Sequence, residues 1–123
     1  MRRVSLWLPP LVYMILIFHF SSESSPMPDV TDRVWDKLLH ATEYAGLAFL
    51  VCRALMGEGV GWLLAACAAL LLTSAYGASD EWHQAFVPLR SVDVRDWLAD
   101  TIGAALGAAI YVTGLTKRRR MEN

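Results

Sequence analysis

Four apolar runs, separated by polar stretches of unequal length, organise the chain. Residues 4–22 carry no formal charge, with His19 neutral. Residues 38–55 are interrupted only by Glu43 near the start and Arg53 near the end, residues 59–79 are uncharged throughout, and residues 97–116 hold a single charge, Asp100. About 20 helical residues cross the ~30 Å hydrocarbon core of a bilayer. Each run is that long or nearly so, and the pattern predicts an all-α bundle of four transmembrane helices in a single domain spanning residues 1–123. A soluble four-helix bundle needs a polar face on every helix, and the 59–79 run has none.

The first run also resembles a secretion signal, since Arg2 and Arg3 precede an apolar stretch ending at Ser21 and Ser22. Its length and the lack of a small-x-small cleavage pattern predict a retained span instead. Pro9 and Pro10 predict a kink in its first half. Residues 21–33, rich in Ser, Pro and Asp, read as an irregular loop. Residues 56–61, with three glycines, read as a short turn that makes the second and third spans an antiparallel hairpin.

Composition agrees with the spans. Of 123 residues, 55% are hydrophobic and 19% charged, with mean hydropathy +0.36, too apolar for an ordinary soluble domain. A net charge of −1 argues against a nucleic-acid partner. Cys52 and Cys67 form no CxxC or Cys/His pair and read as packing residues. The distribution of charge is more informative than its total. Arg2, Arg3, Arg53, Lys117, Arg118, Arg119 and Arg120 share one side with Glu58 and Glu122, whereas the other side has ten acids against Arg33, Lys37, Arg90 and Arg95. Positive residues favour the cytoplasm. Both termini are therefore expected inside, in a bacterial inner membrane, with the acidic segments facing the periplasm or exterior. The KRRR tail reads as a topology anchor that meets anionic lipid.

Three polar faces project to that outer side. On the second span, Asp36, Lys37, His40, Glu43 and Tyr44 share one helical face. Ionisable groups just inside the membrane are costly and point to function. The alternative is anchoring, with Trp35 and Tyr44 as interfacial aromatics, Lys37 snorkelling, and Glu43 paired with Lys37 or an arginine. At the end of the third span, YGASDEWHQAFVPLR would place Asp80, His83 and Gln84 on one side if the helix passes Ser79. Glu81 lies three positions before Gln84, Val87-Pro88 ends the helix, and Arg90 returns toward the acids to grip a carboxylate or phosphate oxygen or to serve as their counter-ion. Before the fourth span, Asp93, Asp96 and Asp100 share one face, the first two also suited to capping the helix start. Gly103, Gly107 and Gly114 continue near the same stripe and predict close helix packing.

Three chemistries suit this constellation. Oxygen and imidazole ligands could hold a divalent cation, although no tight ligand motif is present and the metal ligands stay unassigned. A histidine among carboxyls could serve as acid and base without a metal. The cluster could also bind a polar headgroup without catalysis.

The segments DKLLHATEYAGLAFL at 36–50 and SDEWHQAFVPLRSVDVRDWLADTIGAALGA at 79–108, with four short spans, resemble the VanZ-like membrane proteins. The family often reads VPGR where this chain has Val87-Pro88-Leu89-Arg90, and Leu89 disfavours a positive-φ turn there. The resemblance implies a setting at the cell envelope, and a link to antibiotic resistance against teicoplanin, a glycopeptide that acts on wall precursors outside the membrane.

Together these readings predict action on an envelope lipid, a lipid-linked wall precursor or a surface peptide. His40, Glu43, Asp80, Glu81 and Asp100 would be the catalytic group, with His40 as acid or base and the acids orienting it or holding a cation. Lys37, Tyr44, His83, Gln84, Arg90, Asp93 and Asp96 would bind substrate. A non-enzymatic membrane protein that alters access of antibiotic or lipid is the alternative. An ion-coupled transporter fits less well because the 59–79 run has no ionisable group near mid-membrane, although a homo-oligomer could complete a pathway.

Overall fold

The computed structural model describes residues 1–23 and 30–123, residues 30–33 by their backbone alone. The described residues form four helices: α1 (Arg2–Ser21), α2 (Val30–Gly57), α3 (Trp62–Gln84) and α4 (Val94–Glu122). All four contain a stretch long and apolar enough to cross a membrane. Their outer surfaces carry exposed Leu, Ile, Val and Phe side chains, such as Leu11, Ile15, Leu71, Leu72, Ile102 and Ile110. This is the expected arrangement where lipid rather than water surrounds the bundle.

The helices overrun the apolar windows. At about 1.5 Å per residue, the 28 residues of α2 reach about 42 Å, more than a hydrocarbon core of about 30 Å. Hydropathy registers only the lipid-crossing part, which explains why α2 begins well before residue 38 and α4 runs into the basic tail. The loop expected over 21–33 is correspondingly shorter: α1 includes Ser21, α2 starts at Val30, and residues 24–29 of that loop lie outside the described residues. α1 is one helix through Pro9 and Pro10.

The turn after α2 has a definite cause. The N–H groups of Gly59 and Val60 donate to the carbonyls of Met56 and Leu55 (3.0 and 3.1 Å), and Gly59 takes φ 96°, the left-handed conformation that closes a helix in a Schellman motif. Gly61 then starts α3. Around this turn Arg2 donates to the Gly57 carbonyl (2.7 Å), Arg3 and Trp7 reach Glu58, and Arg53 reaches the Ser5 carbonyl. The start of α1 is thereby tied to the end of α2, and the basic residues of both segments gather at one end of the bundle.

Without a hydrophobic force between helices in lipid, small residues and polar contacts decide which ones pack. A Cβ on Gly103 would overlap the Ala41 carbonyl, and one on Gly107 the Ala45 carbonyl. The constant offset of these pairs makes α2 and α4 parallel neighbours in near-backbone contact. Gly114 has open space where its side chain would be, so the close approach covers only part of the predicted stripe. α3 presents a stripe of its own at four-residue spacing, buried Ala65, Ala69, Thr73 and Gly77. It is fastened to α4 by Trp97 Nε1 donating to the Ser74 carbonyl (3.0 Å) and by the Ser74–Thr101 hydroxyl pair (2.8 Å). α1 packs mainly on α2 and touches α3 only lightly.

Candidate functional site

At the bundle end away from the basic turn, the polar faces of α2, α3 and α4 converge. His40 is the centre. Its Nδ1 lies 2.9 Å from Oδ1 of fully buried Asp100, and its Nε2 is 4.0 Å from Oδ1 of Asp36, one turn earlier on α2. Gly77 allows this arrangement, since a Cβ there would come within 3.0 Å of Asp100 Oδ2 and 3.1 Å of the Tyr44 ring.

Asp80 forms a second node. It accepts hydrogen bonds from the Ser21 hydroxyl, from Tyr44 Oη (3.3 Å) and from Gln84 Nε2 (3.5 Å), joining α1, α2 and α3. Tyr44 is wholly buried, which overturns its reading as an interfacial anchor, whereas Trp35 is exposed as that reading requires. Lys37 donates to Asp96 on α4 (2.8 Å) and to Asp93 just before it (3.4 Å) rather than pairing with Glu43 or snorkelling. Asp93 caps α4: its carboxylate accepts the Arg95 N–H (2.8 Å), and that bond, with Lys37 beside it, holds its pKa below the ordinary carboxylate value. The Asp93 N–H in turn donates to Glu81 Oε2 (3.3 Å).

A cavity of about 390 Å³ opens beside His40 between α1, α2 and α3. Asp36, His40, Glu43, Asp80, Gln84 and Arg90 give it polar walls, while Ile17, Phe20 and Leu39 give it apolar ones. Asp36 and His40 line it but Asp100 does not, so Asp100 stands behind the imidazole and Nε2 is the ring nitrogen nearer the opening. Arg90 reaches it from the loop after α3. There the Arg90 N–H closes a turn onto the Val87 carbonyl (3.2 Å), with Pro88 second and Leu89 third at φ 64°, the features of a type II turn. The positive φ that Leu89 disfavours is therefore adopted nonetheless. Among the described residues, Arg90 pairs with no carboxylate: its Nε donates to the Glu23 carbonyl (3.1 Å), so the expected counter-ion role toward Asp80 or Glu81 is not what the geometry shows.

His83 stays outside the cavity lining, with its ring 4.5 Å from that of Phe18 and its Nδ1 buried without a partner among the described residues. Glu81 and Asp100, neither of which lines the cavity, sit with His40 in a compact group whose ligand-capable atoms lie within 4.8 Å of one another. Ser21 and Gly77 are site residues that the sequence reading passed over. The former looked like the small end of an apolar run, and the latter could have been found as the last member of the four-spaced stripe leading to Glu81.

The architecture is that of a multi-pass membrane-helix bundle with a polar cavity at one end. The VanZ/LLP1 family model matches residues 4–116, and the chain belongs to that family. Comparison with curated proteins and with solved structures finds no match.

Proposed function

We propose that the chain acts on an anionic amphiphile of the bacterial cell envelope, a lipid or lipid-linked wall precursor, whose headgroup enters the polar cavity from the extracytoplasmic side. The side follows from charge: Arg2, Arg3 and Arg53 gather at the far end, which the positive-inside rule assigns to the cytoplasm. In this reading Arg90 grips the anionic group with a guanidinium that no described carboxylate occupies. His40 exchanges a proton with the headgroup through Nε2, while Asp100 orients the ring from behind. The carrying observation is the His40–Asp100 contact of 2.9 Å on the wall of a cavity that also holds Arg90.

A second cavity supports a lipid rather than a surface peptide. Below the polar one, about 350 Å³ lined by Leu11, Met14, Leu47, Val51, Leu72 and Tyr76 opens between α1, α2 and α3. Consecutive turns of α1 line first the apolar cleft and then the polar cavity (Pro10 and Met14, then Ile17 and Ser21), so one molecule with a head and a chain matches both.

Single alanine replacements of His40, Glu43, Asp80 and Arg90 test the reading against protection from teicoplanin or a related envelope stress. Loss in the His40 and Arg90 variants is expected. Full protection retained by a folded Arg90→Ala or His40→Ala variant would end it. A non-enzymatic binder is the second reading, favoured by Asp80, whose oxygens are already engaged by Ser21, Tyr44 and Gln84. Under binding alone, Asp80→Glu and His40→Gln give graded losses, whereas catalysis requires near-complete loss at His40.

A further inference from the structure

Among the described residues, four buried carboxyl groups, Asp80, Glu81, Asp96 and Asp100, crowd the polar end of the bundle. Lys37 answers Asp96, and three hydrogen-bond donors answer Asp80. Glu81 and Asp100 are not fully answered. Glu81 is 5% exposed and Asp100 0%, and each keeps one oxygen, Glu81 Oε1 and Asp100 Oδ2, with no partner among the described residues. Lone pairs closed off from water are costly, more so on charged groups, so two in one cluster call for a ligand or a proton. Their neighbour is His40, 7% exposed, and each of the three residues offers a ligand atom within 4.8 Å of the others.

We infer that His40, Glu81 and Asp100 form a divalent-cation site that clamps α2, α3 and α4 together behind the polar cavity. One imidazole nitrogen with two carboxylate oxygens is a donor set for a first-row ion such as zinc, and supplies too few oxygens for calcium. The spacing is compatible: ligand atoms on a tetrahedral centre with bonds of about 2.0–2.1 Å stand about 3.4 Å apart. The His40–Asp100 separation of 2.9 Å and the 4.8 Å limit for the trio bracket that value. A doubly charged ion would also offset the acids that Lys37 leaves uncompensated. The inference deepens the reading of His40 given above. An ion between the imidazole and the two acids replaces the ring proton that faces Asp100, so the remaining proton resides on Nε2, which donates a hydrogen bond to the headgroup as the binding reading requires.

The test is zinc binding by the full chain, purified without a histidine tag, stripped with chelator and reconstituted in nanodiscs. The wild type is expected to take up one equivalent of Zn²⁺ with a raised thermal midpoint. Glu81→Gln and Asp100→Asn should weaken uptake by at least about tenfold, while Asp36→Asn leaves it unchanged. Absence of saturable uptake by the wild type, or uptake that Glu81→Gln leaves intact, overturns the site and leaves protons to neutralise the two acids. Should both variants fail to fold, X-ray absorption on zinc-loaded Asp36→Asn, which breaks the other group around His40 (Asp36, His40 and Asp96), decides: one imidazole with oxygen ligands upholds the site, and a sulfur shell from Cys52 or Cys67, or no zinc uptake, overturns it. The cavity reading fails separately, through retained protection in Arg90→Ala, a residue outside the cation cluster.

Discussion

Nδ1 of His40 on α2 lies 2.9 Å from Oδ1 of Asp100 on α4, although the residues are 60 positions apart, and neither is more than slightly exposed. Removing one partner of a buried pair strands the other, at a cost of about 3–5 kcal/mol. Asp100→Ala should therefore lower the unfolding midpoint sharply in detergent or nanodiscs. The double variant His40→Leu/Asp100→Leu should recover much of that loss, because it leaves neither group stranded. A double variant as unstable as the worse single would show that packing, not the pair, sets the effect.

The contact exists because Gly103 and Gly107 bring α4 against the α2 backbone. Gly103→Ala is expected to destabilise by at least about 1–3 kcal/mol, since the added methyl meets the rigid Ala41 carbonyl rather than a movable side chain. Gly114→Ala meets open space and exchanges a poor helix former for the best one, worth up to about 1 kcal/mol in the opposite direction. Unfolding titrations of the two variants side by side would check the contrast, and equal effects would refute it.

These pairs also mark the limit of what could be read in advance. The four spans were legible because length and apolarity decide membrane crossing, and the faces holding His40, Asp80 and Asp100 were legible because helical periodicity is rigid. Helix partnership was not. Spacing shows that Gly103, Gly107 and Gly114 share a stripe, but only the folded bundle shows that α2 covers the first two and not the third. Tyr44 looked like an interfacial aromatic because its composition fits a belt, and Gly77 is what leaves room for it to be buried beside Asp100. Ser21 acquires its role from Asp80, 59 residues away, which no local pattern records.

Leu89 occupies the third position of the turn that carries Arg90, at φ 64°. A side chain in that conformation costs about 1–2 kcal/mol, and Leu89 is 73% exposed, so little packing offsets the strain. Leu89→Gly is expected to raise the unfolding midpoint slightly or leave it level, glycine's greater freedom in the unfolded chain cancelling part of the gain. Leu89→Val should lower it, because a β-branched residue tolerates a positive φ less well. A Leu89→Gly variant clearly less stable than wild type would mean that the side chain contributes something beyond the turn, such as contact with lipid.

Asp93 couples the same loop to pH. The Arg95 N–H, and Lys37 after it, hold its carboxyl below the usual value near 3.8. A depressed pKa in the folded state stabilises above the unfolded value, and that contribution disappears as pH falls through the folded one. The stabilising cap on α4 should thus be fully present at neutral pH and fade only in acid below about 4. Asp93→Asn keeps a good cap without a charge. Its stability relative to wild type should be lower at neutral pH and converge with wild type as the solution is acidified, followed by thermal unfolding across that range. A difference that stays constant with pH would assign the effect of Asp93 to shape alone, and would remove Lys37 and the Arg95 amide as the cause of the lowered pKa.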